Sequence, residues 1–248
     1  MKIALVTGGQ PRFTLDFVTL MNQLTGFDSA DIYMTLWTTD WATNEIEARQ
    51  KIEKILLPNY KLAKVQIVDE PPTVYPPHDV PLVLPREQNV AWWYRRLYVQ
   101  SLVLAWANDL IDQKYDAVVR FRLDGYLDRI LDLSSLDLFA NQLILPARGK
   151  LINDQFAVGT QEFMKLYFDF GKQIPELVPL SDPLWAKHPE VLDALNWHWG
   201  REELLEFYMN QLAIPFTCGD FSANFNKYGR SRFTDKHYHL PIGPDPTL

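Results

Sequence analysis

The chain holds a single cysteine, Cys218, in 248 residues. One thiol excludes an internal disulfide framework and a cysteine-rich zinc site, and it suits a reducing, cytoplasmic setting. Long apolar runs are also missing. Each is broken by polar or charged residues well short of the ~20 positions a membrane-spanning helix needs. The apolar stretch from Ile3 to Val6 is strand-sized and leads into Gly8-Gly9, so the N-terminus does not read as a signal peptide. Basic residues are outnumbered, 24 Lys and Arg against 31 Asp and Glu, for a net charge of −7. That balance argues against a sequence-independent nucleic-acid binder, which needs a basic footprint, and leaves room for a basic pocket around one phosphorylated ligand. No internal repeat is visible, and no Gly- or Ser-rich linker separates two domains.

What is present is an ordinary globular composition, 47% hydrophobic and 22% charged, enough to bury a substantial core. Aromatic residues reach 13%. Several tryptophans sit among polar neighbours (Trp37, Trp41, Trp92, Trp93, Trp197 and Trp199), where flat faces suit nucleobases and sugar rings as well as a core.

The hydrophobic pattern alternates strand and helix. A β-branched run over Lys2–Thr7 ends in Gly-Gly-Gln-Pro-Arg, and helical spacing follows over Phe13–Leu24. A strand is expected over Asp31–Thr38, then a helix over Glu45–Leu56 capped by Asn44, then a strand over Lys64–Val68. This order predicts an α/β fold with a doubly wound sheet, whose ligands bind beyond the carboxyl ends of the strands near a topological switch. Six prolines between residues 70 and 86 predict an extended surface loop. A long helix over Gln88–Gln113 is apolar almost all round between Leu97 and Ala107, with Gln100 and Ser101 as exceptions. Strands are expected over Tyr115–Phe121, Leu143–Leu145 and Phe156–Gly159, and helices over Glu162–Phe170 and Arg201–Leu212. The tail from Cys218 reads as irregular.

Three stretches carry chemistry. Thr7, Gly8 and Gly9 end the first strand in small residues that let a ligand approach the backbone, and Arg12 follows as a phosphate partner. A plain β–α turn has the same composition. The opening also reads like a short-chain dehydrogenase, yet that family's later glycines fall here on Arg12 and Thr14, and G-x-G-x-x-G fails. Next, strand alternation places Arg120, Arg122 and Asp124 on one face, with Val119, Phe121 and Leu123 on the other. A carboxylate just past a strand end, followed by Gly125, suits a divalent cation held against a diphosphate. The alternative is a structural ion pair between Asp124 and one of the arginines. Last, Asp154 in Asn153-Asp154-Gln155 is either a base or a turn residue.

These stretches resemble the GT-A-type glycosyltransferases, in particular small enzymes of surface or viral glycan synthesis. Lys2–Arg12 looks like their opening strand and donor loop, Tyr115–Asp124 like the strand delivering the acidic metal motif, and Asn153–Gly159 like the segment near donor sugar and acceptor. The family's usual motif is Asp-x-Asp, and here Arg122 stands at its first position and Asp124 at its second. The resemblance implies a single GT-A-like Rossmann-type domain over residues 1–248, flanked by helices. Residues 1–125 would form a nucleotide-binding half, and 126–248 an acceptor-side half, mainly helical or irregular. It implies hexosyl transfer in polysaccharide biosynthesis, from a nucleotide-sugar donor, UDP-sugar favoured, to a carbohydrate acceptor, with Mn²⁺ or Mg²⁺ on Asp124. Asp154 would act as base. Thr7, Gly8, Gly9, Arg12, Trp37, Thr38, Asp40, Tyr94, Arg95 and Arg122 would bind the donor. From the residues alone, His188 and the Trp197-His198-Trp199 cluster either line an acceptor side or are ordinary surface and packing residues, and His237 and His239 are either metal ligands or a flap, or solvent-exposed tail residues. Two other classes stay open: a catalytically inactive GT-A-like protein that binds glycan or nucleotide, and a sugar nucleotidyltransferase.

Overall fold

The computed structural model describes residues 1–11, 15–69, 90–137, 142–148, 151–152, 154–177, 201–221 and 223–225. The chain begins with β1 (Lys2–Gly9), α1 (Leu15–Gln23), a two-residue β2 (Leu24–Thr25), β3 (Ser29–Trp37), α2 (Glu45–Glu53) and β4 (Tyr60–Val68). Then come α3 (Val90–Asp109), β5 (Ala117–Arg120), β6 (Gly125–Leu127) and β7 (Leu131–Asp132). β8 (Leu143–Arg148), β9 (Leu151–Ile152), β10 (Ala157–Gly159), α4 (Gln161–Leu177), α5 (Arg201–Gln211), β11 (Phe216–Gly219) and β12 (Ala223–Phe225) complete it.

One mixed sheet organises these elements, in the order β11-β8-β10-β5-β1-β3-β4 with β9 on β8. β5, β1, β3 and β4 run parallel. β10 is antiparallel to both β5 and β8, and β11 lies parallel to β8. The α/β expectation for the fold is therefore met. Because the sheet is covered on both faces, its central strands read as continuous apolar runs. Ile3 and Leu5 of β1 face α1 and α2 through Phe17, Leu20, Met21, Ala48 and Ile52. Ala4 and Val6 face the opposite layer, built from Leu104 and Ala107 of α3, Met164 and Tyr167 of α4, and Leu205 and Met209 of α5.

Local signals set several boundaries. Asn44 caps α2 as expected, its side-chain oxygen accepting from the Glu47 N–H at 3.0 Å. α4 runs past the expected Phe170 because Gly171 lets it cross α3 closely. A Cβ there would lie 2.2 Å from the Ser101 carbonyl oxygen. The expectation of an irregular tail from Cys218 is corrected. β11 reaches Gly219 on the sheet edge, and β12 pairs with β6. Strands of three and four residues that include Gly219 and Asn224 give a weak local signal, and pairing with β8 and β6 supplies their order.

Candidate functional site

After β4 the chain returns through α3 to place β5 on the other side of β1, so the winding reverses between β1 and its neighbours. Adjacent strands with oppositely directed connections leave a crevice at their carboxyl ends. A cleft opens there, lined by Gly8, Gly9, Gln10, Trp37, Gln100, Leu104 and the run Arg120–Asp124. The space it encloses is small, about 70 Å³, and its mouth is open to solvent.

The two glycines of β1 have different tasks. A Cβ on Gly8 would meet the Val103 carbonyl oxygen at 2.9 Å, so Gly8 lets α3 pack on the strand. Gly9 has φ of 113°, a conformation that suits glycine, and nothing lies within 4 Å of a Cβ built on it. The open backbone approach expected of this turn is thus at Gly9. Thr7 is buried and is not among the described cleft-lining residues.

β5 ends at Arg120, and its Val119 continues into Phe121 and Leu123 as part of the core beneath. The Phe121 N–H donates to the Val6 carbonyl, tying this exit to β1. A turn follows, closed by the Gly125 N–H donating to the Arg122 carbonyl at 3.2 Å. Beyond it, Gln23 of α1 clamps Leu127 with two hydrogen bonds of 2.6 and 2.8 Å, and β12 pairs with β6. The turn is held from two sides.

On that turn Arg122 and Asp124 form a two-pronged ion pair. Nε donates to one carboxylate oxygen at 2.7 Å and an Nη to the other at 2.9 Å. Both side chains are partly exposed, 24% and 18%. Arg120, only 3% exposed, faces Asp154 at 3.6 Å. The antiparallel register that sets Ala157 opposite Arg120 carries Asp154 over the end of β5. Two arginines at alternate positions each have a carboxylate beside them.

The remaining expected site residues divide. Trp37 lines the cleft, and its buried indole N–H has no acceptor among the described residues. Thr38 and Asp40 are exposed and are not among the described cleft-lining residues; the Thr38 hydroxyl instead bonds Asp69 at 3.1 Å beside the end of β4. Asp154 is buried against Arg120 and likewise does not line the cleft among the described residues. Tyr94 and Arg95 fall in the first turns of α3, but their side chains, like Arg12, Asn153, His188, Trp197–Trp199, His237 and His239, lie outside the described residues. Gln10, Gln100 and Leu104 are cleft residues that the motifs did not single out. Gln100 had a signal, as a polar residue on an otherwise apolar helix.

Among the described residues no group of three His, Cys, Asp or Glu side chains is arranged to hold a metal ion. At the cleft the only carboxylate in the described lining is Asp124, and a guanidinium engages both of its oxygens. Mg²⁺ and Mn²⁺ prefer one or two carboxylates together with substrate phosphate. A single carboxylate already in a two-pronged pair is a poor fit to that requirement.

No family model matches the chain, and no curated protein sequence matches it. Among solved structures, mouse xyloside xylosyltransferase 1 in its apo form aligns at a TM-score of 0.44 with 10% identity, over 88% of this chain and 84% of that one. Two structures of the glycosyltransferase GlyE from Streptococcus pneumoniae TIGR4 align at 0.42, with 14% and 16% identity. The chain spans 45% of the length of each.

Proposed function

We propose that the chain is a glycosyltransferase that binds a nucleoside-diphosphate sugar, UDP-sugar favoured, in the cleft beyond β1, β3 and β5, and passes the sugar to a carbohydrate acceptor. The observation that carries this reading is the cleft itself. At the switch point of the sheet it joins an open glycine backbone, a tryptophan and the arginine–aspartate turn. An aromatic face suits a base or sugar ring, and a guanidinium suits a phosphate. Cleavage of the anomeric C–O bond leaves negative charge on the departing nucleoside diphosphate, and fixed cations at the cleft floor stabilise that charge as it develops. Among the described residues the one carboxylate lining the cleft, Asp124, is engaged by Arg122 at both oxygens, so these cations rather than a metal carry the charge.

The acceptor hydroxyl must lose its proton during attack. Asp154 is a poor candidate for that work in this arrangement, being buried beside Arg120. That observation favours a second reading, a protein that binds nucleotide or glycan without turnover. A panel of UDP- and GDP-sugars, assayed for nucleoside diphosphate release with and without mono- and oligosaccharide acceptors, separates the two. Acceptor-stimulated release supports transfer. Nucleotide or glycan binding with no release from any donor replaces the transferase with the binding protein.

A further inference from the structure

The Arg122–Asp124 pair stands where the acidic motif would be expected to carry a cation. We propose that in this chain the arginine is the cation: Arg122, held in place by Asp124 and backed by Arg120, anchors a diphosphate without a divalent metal. The proposal rests on the nucleotide-sugar reading and adds how the phosphates are held.

Three observations lead to it. First, the pair is two-pronged, at 2.7 and 2.9 Å, on a turn fixed by α1 and β12, so the guanidinium plane has a set direction before any ligand arrives. A planar, permanently charged fork in a fixed orientation matches phosphate oxygens and loses little entropy on binding them. Second, Arg120 lines the same cleft two residues earlier and is held by a different carboxylate, Asp154. A phosphate at the floor thus meets two cations whose positions are set by two independent elements, the turn and the loop before β10. Third, a metal at Asp124 would have to displace a guanidinium from both carboxylate oxygens and would find no second carboxylate in the described cleft lining. Magnesium gives up its waters reluctantly, which makes that exchange less favourable still. Asp124 is then a positioning residue, and Arg122 is the group that touches phosphate.

Calorimetric titration with UDP, with GDP and with inorganic pyrophosphate tests this, run in EDTA and again in Mn²⁺. The wild-type protein is expected to bind UDP and pyrophosphate in EDTA, with affinity changed less than about twofold by Mn²⁺. Arg122→Gln, checked for folding by circular dichroism, is expected to weaken both by about 10- to 100-fold, the range for one charged hydrogen-bonding group. Asp124→Asn, which loosens the hold on Arg122, is expected to weaken metal-free binding less than Arg122→Gln does and to leave it independent of Mn²⁺, whereas loss of a metal ligand would abolish binding that depends on Mn²⁺. Arg122→Asp, which writes the usual acidic pair into the turn, is expected to convert binding to Mn²⁺ dependence. Wild-type binding that requires Mn²⁺ and disappears in Asp124→Asn overturns the arginine anchor and leaves the transferase reading standing. Failure of the folded protein to bind UDP, GDP or pyrophosphate under either condition overturns both.

Discussion

The two ends of the parallel strands both bury polar groups, yet they are built on opposite plans. At the amino ends, the Asp31 carboxylate accepts from the Tyr115 hydroxyl at 2.7 Å and from Gln113 at 3.0 Å, and it pairs with Lys2 at 2.9 Å. Tyr33 joins through a 2.7 Å contact with the Tyr115 hydroxyl. Burial, then the bonds with Tyr33 and Asp31, push the Tyr115 hydroxyl well above its ordinary pKa, so it stays a donor. This end is a closed network that joins β1, β3 and the approach to β5. At the carboxyl ends the charges are guanidiniums, in pairs, beside an open glycine and a tryptophan. The same sheet thus surrounds one carboxylate with hydroxyl, amide and ammonium donors where it must only hold together, and sets fixed cations where a crevice faces outward. Buried polar groups mark function when they border a space, and structure when they close on one another.

The largest separation between the two ends is expected on removing one cation from the cleft. Arg120→Ala leaves Asp154 buried without this partner and is expected to cost about 3–5 kcal/mol, the usual range for breaking a buried pair. Urea denaturation would read that loss, and nucleotide titration at low temperature would read the loss of binding. Tyr115→Phe is the matching change at the closed end. It should cost about 1–3 kcal/mol by leaving Asp31 short of a donor, while UDP affinity stays within about twofold. A Tyr115→Phe protein that lost nucleotide as strongly as Arg120→Ala would show that the two ends do not act separately.

Acid should find the closed end too. Burial works to raise the Asp31 carboxyl, and the bonds from Lys2 and Tyr115, with the charges of Lys2 and Lys61, outweigh it and hold the pKa below the ordinary value. A carboxyl depressed on folding contributes stability above its unfolded pKa of about 4, and that contribution fades as pH falls through the lower, folded value. Asp31→Asn is expected to be less stable than wild type near neutral pH and to lose less on acidification, measured as urea midpoints between neutrality and acid. The smallest effect is expected from Thr38→Ala. This exposed residue lies outside the described cleft lining, so nucleotide affinity should hold within about twofold and stability within about 0.5 kcal/mol. A tenfold loss of affinity would bring the end of β3 back into the site.

Much of the first half was legible in the sequence. The β-branched run from Ile3, the cap at Asn44 and the apolar period of α3 depend on neighbours within one or two turns of chain, and the structure has them close to where pattern places them. Alternation also put Phe121 and Leu123 on the core side correctly. The second half was less legible. Gly171 lies inside α4, and only the approach of Ser101 explains why a glycine belongs there. β11 and β12 are strands because β8 and β6 are beside them.

For the site, the chemistry available was already written in residue order: glycines after a strand, tryptophan after another, and arginines alternating toward an aspartate. Residue type and period are local properties, and they survive without a fold. How those groups are shared out came from the packed fold. It packed Gly8 under α3 at the cleft wall and left Gly9 open to approach, and it gave Asp154 to Arg120 and Asp124 to Arg122. Which carboxylate meets which cation depends on strand register and the closure of a turn, and those are settled by contacts between residues far apart in the chain.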